Sequence, residues 1–347
     1  MRIVHYLTSL SIGGAENLIC LLCSENAKDN KNQFHIIILN DVFDKMLLSE
    51  LKQTGVEVIL FRRNIGRSWN LPFYLFKSIK QLFTIKPDII HAHNKLSCLM
   101  GIACSFFLRS KTVYTIHNTN LFRNTLSDNA YRLLFMYIVD KIIAISKAVK
   151  NDFYAHQKRH IDKCEIVQNG IKISNFKNIR KRSILPKIIC VGRLDHVQKG
   201  QDLLIQALWT IYCEYSLLFQ CQIVGDGKSR KLLERMIREY NIGDQVMLLG
   251  NRRDIPFLLN QADIFVLPSR YEGLGIVILE AMASGLAIIS SDIEGPSEII
   301  HNGKKINDDT VIASIFNNYF ANIGPSLAKT IPQASDNFTH FLPSNNS

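Results

Sequence analysis

Two hydrophobic rhythms alternate along the chain. Short β-branched runs such as IVHYL at 3–7, HIIIL at 35–39 and IFVL at 264–267 are separated by longer stretches with apolar residues at helical spacing. That alternation predicts parallel sheets joined by crossover helices. In the first half the expected strands are 3–7, 35–39, 56–61, 89–92, 112–116, 141–145 and 164–167; in the second they are 187–191, 220–224, 246–249, 264–267 and 287–290. The stretch 172–186 is basic, polar and closed by proline, so it reads as a linker between domains at 1–171 and 187–302, with 303–347 an atypical tail. A chain of 347 residues exceeds one ordinary core, which also argues for two domains and a cleft between them. The fold expected is α/β.

Ligands of open parallel sheets bind where strands end, so the residues following each strand matter most. Those include Gly13 and Gly14, His93, His117, Gly192 with Arg193, Gly225, Gly250, and 269–275. The segment 71–83, LPFYLFKSIKQLF, carries apolar residues on a helical period interrupted by Lys77 and Lys80. It reads either as an amphipathic helix that touches lipid or as an ordinary helix on the first sheet.

Composition adds limits. Charged residues at 20% and apolar residues at 47% exclude wholesale disorder. Residues 1–182 hold 27 Lys and Arg against 13 Asp and Glu, whereas the rest hold 14 against 17, so the positive charge belongs to the first half. No basic block exceeds Arg180-Lys181-Arg182, which favours an anionic membrane surface over nucleic acid as partner. Eight cysteines lie mostly within apolar runs without metal-ligand spacing and read as buried thiols. No apolar run is long enough to span a bilayer, and the N-terminus reads as a strand rather than a leader. The expected location is the cytoplasm, peripherally on the inner membrane face.

Within SRYEGLGIVILEAMASG, at 269–285, Glu272 and Glu280 flank a glycine-bearing helix start that includes Gly273, Leu274 and Gly275. A helix N-terminus suits phosphate, and carboxylates accept from sugar hydroxyls. The same residues read otherwise as a cap and a surface charge. Arg193 beside Gly192, with Lys199 six residues on, can hold a pyrophosphate, the Arg bidentately. Gly13 and Gly14 offer backbone amides or a plain tight turn. His93 and His117 end successive strands and can donate to a sugar hydroxyl, while His91 alternates with His93 and is expected to face away. There is no D-x-D, H-E-x-x-H, cysteine quartet, Walker loop or G-x-G-x-x-G, so neither metal nor cofactor is expected.

The motifs LTSLSIGGAEN, PDIIHAHN, VYTIHN, IIAISKAV, IVQNGI, ICVGRLDHVQKGQDLLIQAL, IVGDG, LLGNRRDI, ADIFVLPSRYEGLGIVILEAMASG and GPSEII resemble those of the retaining glycosyltransferases of family four, over about 1–302. The resemblance implies the GT-B fold, two Rossmann-like domains facing a cleft. It implies a nucleotide-sugar donor (UDP-, GDP- or ADP-linked) and a glycan or lipid-linked acceptor in polysaccharide, lipopolysaccharide or glycolipid synthesis. By it Arg193 and Lys199 bind the donor diphosphate beside Gly192 and Gly225, Glu280 binds the ribose, and Glu272 with Gly273, Leu274 and Gly275 holds the sugar. Arg253 and Ile255 meet the base; His117 approaches the donor sugar, Gly14 sits by the diphosphate, and Gly13, Gly14, His93 and His117 line the acceptor side. Retention without a metal is implied, by front-face attack.

This sequence departs from the family at Lys172, where Asp is common, and after about residue 302. There NGKKINDDTVIASIFNNYFANIGPSLAKTIP resembles a segment of LINE-type retrotransposon polyproteins rather than the family's closing helices. An alternative reading is therefore a truncated, inactive glycosyltransferase remnant fused to retroelement sequence. A two-domain epimerase is a further alternative, disfavoured by the Arg193, Lys199, Glu272 and Glu280 set.

Overall fold

The structure, a computed structural model, describes residues 1–11, 13–27, 32–65, 70–119, 126–155, 163–176 and 185–300. Among the described residues twelve strands form two sheets: β1 Arg2–Leu7, β2 Gln33–Asn40, β3 Glu57–Arg63, β4 Ile89–Ala92, β5 Lys111–Ile116, β6 Lys141–Ala144, β7 Cys164–Ile166, then β8 Lys187–Val191, β9 Gln220–Val224, β10 Val246–Gly250, β11 Ile264–Leu267 and β12 Ala287–Ser290. Each lies within two residues of its expected position. Between them run α1 Gly14–Ala27, α2 Lys45–Gln53, α3 Leu71–Ile85, α4 Lys95–Leu108, α5 Leu126–Ile138 and α6 Lys147–Tyr154, followed by α7 His196–Lys199, α8 Gln201–Tyr215, α9 Arg230–Glu239, α10 Ile255–Gln261, α11 Ile276–Ala283 and α12 Glu294–Ser297.

The chain divides into two compact units, Met1–Asn169 and Gly170 onward. The first holds a seven-stranded sheet in the order β3-β2-β1-β4-β5-β6-β7, the second a five-stranded sheet in the order β10-β9-β8-β11-β12. All the paired strands are parallel. Each unit is thus a Rossmann-like α/β domain, as the alternation of elements requires. Strand order reverses beside β1 and β4 in the first and beside β8 and β11 in the second, and such reversals open a crevice at the strands' C-terminal ends.

Helices on both faces explain why the strands read as continuous apolar runs. On β2, Ile36 and Ile38 enter one core with Leu7, Ile19 and Leu51, while Ile37 and Leu39 enter another with Val4, Tyr6 and Leu82. On β11, Ile264 and Val266 pack with Leu204 and Ile223, and Phe265 and Leu267 with Leu258 and Ile278. Seven of the eight thiols are buried, Cys213 being the exposed exception, and none of the eight is in a disulfide.

In the expected linker, Ile173–Asn175 form a single 3-10 turn and Phe176 packs against the core of the second unit. Residues 177–184 and the atypical tail at 303–347, with the retroelement reading placed on it, lie outside the described residues. Among the described residues no helix is long and apolar enough to cross a membrane.

Candidate functional site

In the second unit the loops after the neighbouring strands β8 and β11 carry the charged residues. Gly225, after β9, has φ +134°, and a Cβ there would stand 2.1 Å from the carbonyl oxygen of Gly192. Glycine is required because the two strand ends press together. Arg193 follows; its Nη2 donates to Gln198 Oε1 at 2.8 Å, and its side chain stays 64% exposed. The short α7 then returns the chain so that Lys199 ion-pairs with Glu272 in the loop after β11. Glu272 also accepts from Ser269 Oγ at 3.0 Å and is only 6% exposed.

A buried carboxylate needs such partners, because burial otherwise disfavours its charged form. The two residues assigned to different parts of a ligand therefore hold each other. An ammonium has three donors, so Lys199 keeps capacity beyond Glu272.

Gly275, with φ +80°, turns the chain into α11, and Glu280 lies one turn inside that helix, as its position in the sequence predicts. Burial pushes the Glu280 carboxyl up to about 7. Gly273 and Leu274 are buried between Glu272 and this helix start, and a Cβ on Gly295 would meet the Gly273 carbonyl oxygen at 2.8 Å, so α12 backs the loop closely. Arg253 is exposed before α10, whereas Ile255 packs partly against the core; both follow β10, the edge strand, two strands from β8.

The first unit holds a different arrangement. Gly13 precedes α1, whose first residue is Gly14; the Gly13 carbonyl accepts from Asn17 N at 3.0 Å. Asn94 caps α4 in a reciprocal box with Ser97, and Asn94 Nδ2 also donates to Thr8 Oγ1 at 2.9 Å, tying the end of β4 to the end of β1. That fixes His93, which sits beyond β4 rather than on it. His93 Nε2 is 2.9 Å from His5 Nδ1, and His93 Nδ1 is 3.1 Å from His117 Nε2. His91 does not face away: its ring centroid is 4.3 Å from that of His93. Side-chain alternation ends with the strand at Ala92, and the turn into α4 swings His93 back over His91.

His5 was not singled out by sequence. It reaches this cluster because β1 and β4 are neighbours, with His5 paired in register to His91. A histidine in the first strand gives no signal until strand order is known. Desolvation lowers all four imidazoles below their ordinary range, His5 and His117 to about 4. They are neutral near pH 7. One ring nitrogen each from His5, His91 and His93 lies within 4.8 Å of the others, a grouping that could hold a metal ion. Both nitrogens of His93 are already engaged with neighbouring rings, which fits a hydrogen-bonded chain better than a ligand set.

Residues 12–175 match Glycosyltransferase Family 4, and residues 172–314 match Glycosyl transferases group 1. An uncharacterized glycosyltransferase of Methanocaldococcus jannaschii is 30% identical over 237 residues, which make up 62% of this chain and 60% of the archaeal protein's length. EpsF of Bacillus subtilis, a glycosyltransferase by name, is 26% identical over 312 residues, 84% of this chain and 79% of its own. The crystal structure of Anabaena HepE in complex with UDP and glucose superposes with a TM-score of 0.78 at 21% identity, covering 93% of this chain and 91% of that one. That likeness establishes the fold.

Proposed function

We propose, from the matches of residues 12–175 to Glycosyltransferase Family 4 and of residues 172–314 to Glycosyl transferases group 1, that this chain transfers a sugar from a nucleotide-sugar donor to a glycan or lipid-linked acceptor. The observation that carries the proposal is the second-unit crevice, where Arg193, the Lys199–Glu272 pair and the start of α11 follow adjacent strands.

The chemistry asks for what those groups supply. Breaking the bond between the anomeric carbon and the diphosphate oxygen places negative charge on the leaving group. Arg193 and Lys199 neutralise it without a metal on this reading. Glu280 accepts from the ribose hydroxyls and Glu272 from the transferred sugar. The acceptor hydroxyl attacks the face the diphosphate leaves; its proton passes to a phosphate oxygen, and configuration is retained. His117 touches the sugar, and Gly13 and Gly14 serve the acceptor side. HepE's complex with UDP and glucose supports a nucleotide sugar as the donor class.

An anionic membrane surface is the proposed setting. On α3 Phe73 and Phe76, and on α4 Phe106 and Phe107, are each more than 60% exposed, with Lys77 and Lys80 on the same α3. Aromatic and basic groups together suit a lipid headgroup region.

A thermal-shift series with UDP-, GDP- and ADP-sugars tests the donor. A rise in Tm with one nucleotide class, lost in Arg193→Ala, is expected. No shift with any of them, at millimolar concentration, defeats the proposal.

A further inference from the structure

Three imidazoles in the first unit form an unbranched chain: His5 Nδ1 to His93 Nε2 at 2.9 Å, and His93 Nδ1 to His117 Nε2 at 3.1 Å. At its far end His117 Nδ1 is buried and has no hydrogen-bond partner. At its near end His5, on β1, is 3% exposed, held between the rings of Phe34 at 6.0 Å and His91 at 5.0 Å.

Counting protons along the chain gives a restriction. A neutral imidazole carries one N–H and one lone pair. Each link between nitrogens needs one of each. If His93 holds its proton on Nε2, it donates to His5 and must accept at Nδ1 from His117 Nε2–H. If it holds the proton on Nδ1, it donates to His117 Nε2 and must accept from His5 Nδ1–H. Only two arrangements satisfy both links: every ring protonated on Nε2, or every ring protonated on Nδ1. In the first, His117 Nδ1 is an acceptor; in the second, it is a donor. Desolvation keeps all three neutral near pH 7, as the count requires.

We propose that His5 and His93 are positioning residues that couple the tautomer of His117 to their own, so that the proton position on His5, two rings away, decides whether His117 Nδ1 offers a ligand a donor or an acceptor. The sugar-contact role of His117 comes from the proposed function, and the relay's consequence for transfer rests on that reading. The relay itself does not. His91 stands outside it, because His91 Nε2 pairs with Thr115 Oγ1 at 2.7 Å.

Nuclear magnetic resonance on the full chain labelled with 15N-histidine tests this directly. The imidazole nitrogen shifts report each ring's tautomer, and scalar coupling across an N–H···N bond reports each link. Expected are one common tautomer for His5, His93 and His117 and two observed couplings. Different tautomers among the three, or no coupling, overturns the relay. In His5→Phe, His117 should change or lose its single tautomer although the two rings do not touch; an unaltered His117 pattern overturns it as well. Should that variant fail to fold, the wild-type couplings decide alone.

Transfer assays then separate the two ideas. His5→Phe should lower kcat on the order of tenfold or more, with the donor KM unchanged, as expected when only a tautomer is lost. If the couplings are present while His117→Ala transfers at the full rate, the relay stands and the sugar contact fails. If the couplings are absent while His117→Ala is inactive, the contact stands and the relay fails.

Discussion

The two strand-order reversals of this molecule are built alike and filled oppositely. Beside β1 and β4 the crevice holds neutral rings, four imidazoles with lowered proton affinity. Beside β8 and β11 it holds ions, the Lys199–Glu272 pair and the exposed Arg193, with Glu280 on the following helix. The same topology therefore specifies where a ligand goes and leaves its chemistry open. Neutral donors and acceptors suit a sugar or an acceptor hydroxyl, which carry no charge. Fixed cations suit a leaving diphosphate.

Breaking the ion pair should give the largest effect. Lys199→Ala takes the cation from buried Glu272 and leaves it the Ser269 hydroxyl, so a loss of about 3 kcal/mol is expected in urea denaturation. The double variant Lys199→Met, Glu272→Leu should regain much of that stability without regaining nucleotide binding. If it regains neither, packing rather than pairing dominates the second crevice.

The pH dependence should carry opposite signs in the two regions. His5 and His117 titrate near 4 when folded against about 6.5 when unfolded. Their contribution is whole above pH 6.5 and is lost as pH falls toward 4, on the order of 3 kcal/mol for the buried His5 ring and less for the partly buried His117. Denaturation midpoints of wild type and His5→Phe, compared between pH 7 and 4, should converge as acid is added. A constant difference across that range would remove the neutral character claimed for the first crevice.

Arg193→Ala comes next. It should weaken nucleotide binding roughly 10- to 100-fold by calorimetry, the value of a charge-assisted contact, with little change in stability because the side chain is exposed. Unchanged affinity would leave the second crevice without its diphosphate role.

The smallest expected effect is at Glu280, whose folded value of about 7 lies above the ordinary 4.5. Its burial is least costly below pH 4.5, and stability drains away as pH rises toward 7, the reverse of the histidines. Glu280→Gln should therefore gain over wild type across that window, by about 1–2 kcal/mol at pH 7, less than the full shift would give because solvent reaches the partly buried side chain. It should bind nucleotide more weakly at the same time. A flat difference in the pH series would count against a desolvated carboxyl there.

Much of this was legible beforehand. Twelve strands followed from apolar runs because both faces of each sheet are covered, so burial along those runs is nearly continuous. The helix start at Gly275 and the place of Glu280 within α11 followed from local spacing. Gly225 was marked as a strand-end glycine, although its reason proved to be the pressure of the Gly192 carbonyl against it.

What a linear reading determined are the properties that neighbours in the chain decide: periodicity, helix starts, glycine at turns, and which residues follow a strand. Strand order was beyond its reach, since that is set by which apolar faces pack across long separations. Only the tertiary structure brought His5 of β1 against His91 of β4 and His93 just beyond it, turned His93 back at the end of that strand, and joined Lys199 to Glu272 across 73 positions of sequence. Groups so distant in the chain meet because parallel strands must be crossed by helices before they can lie side by side.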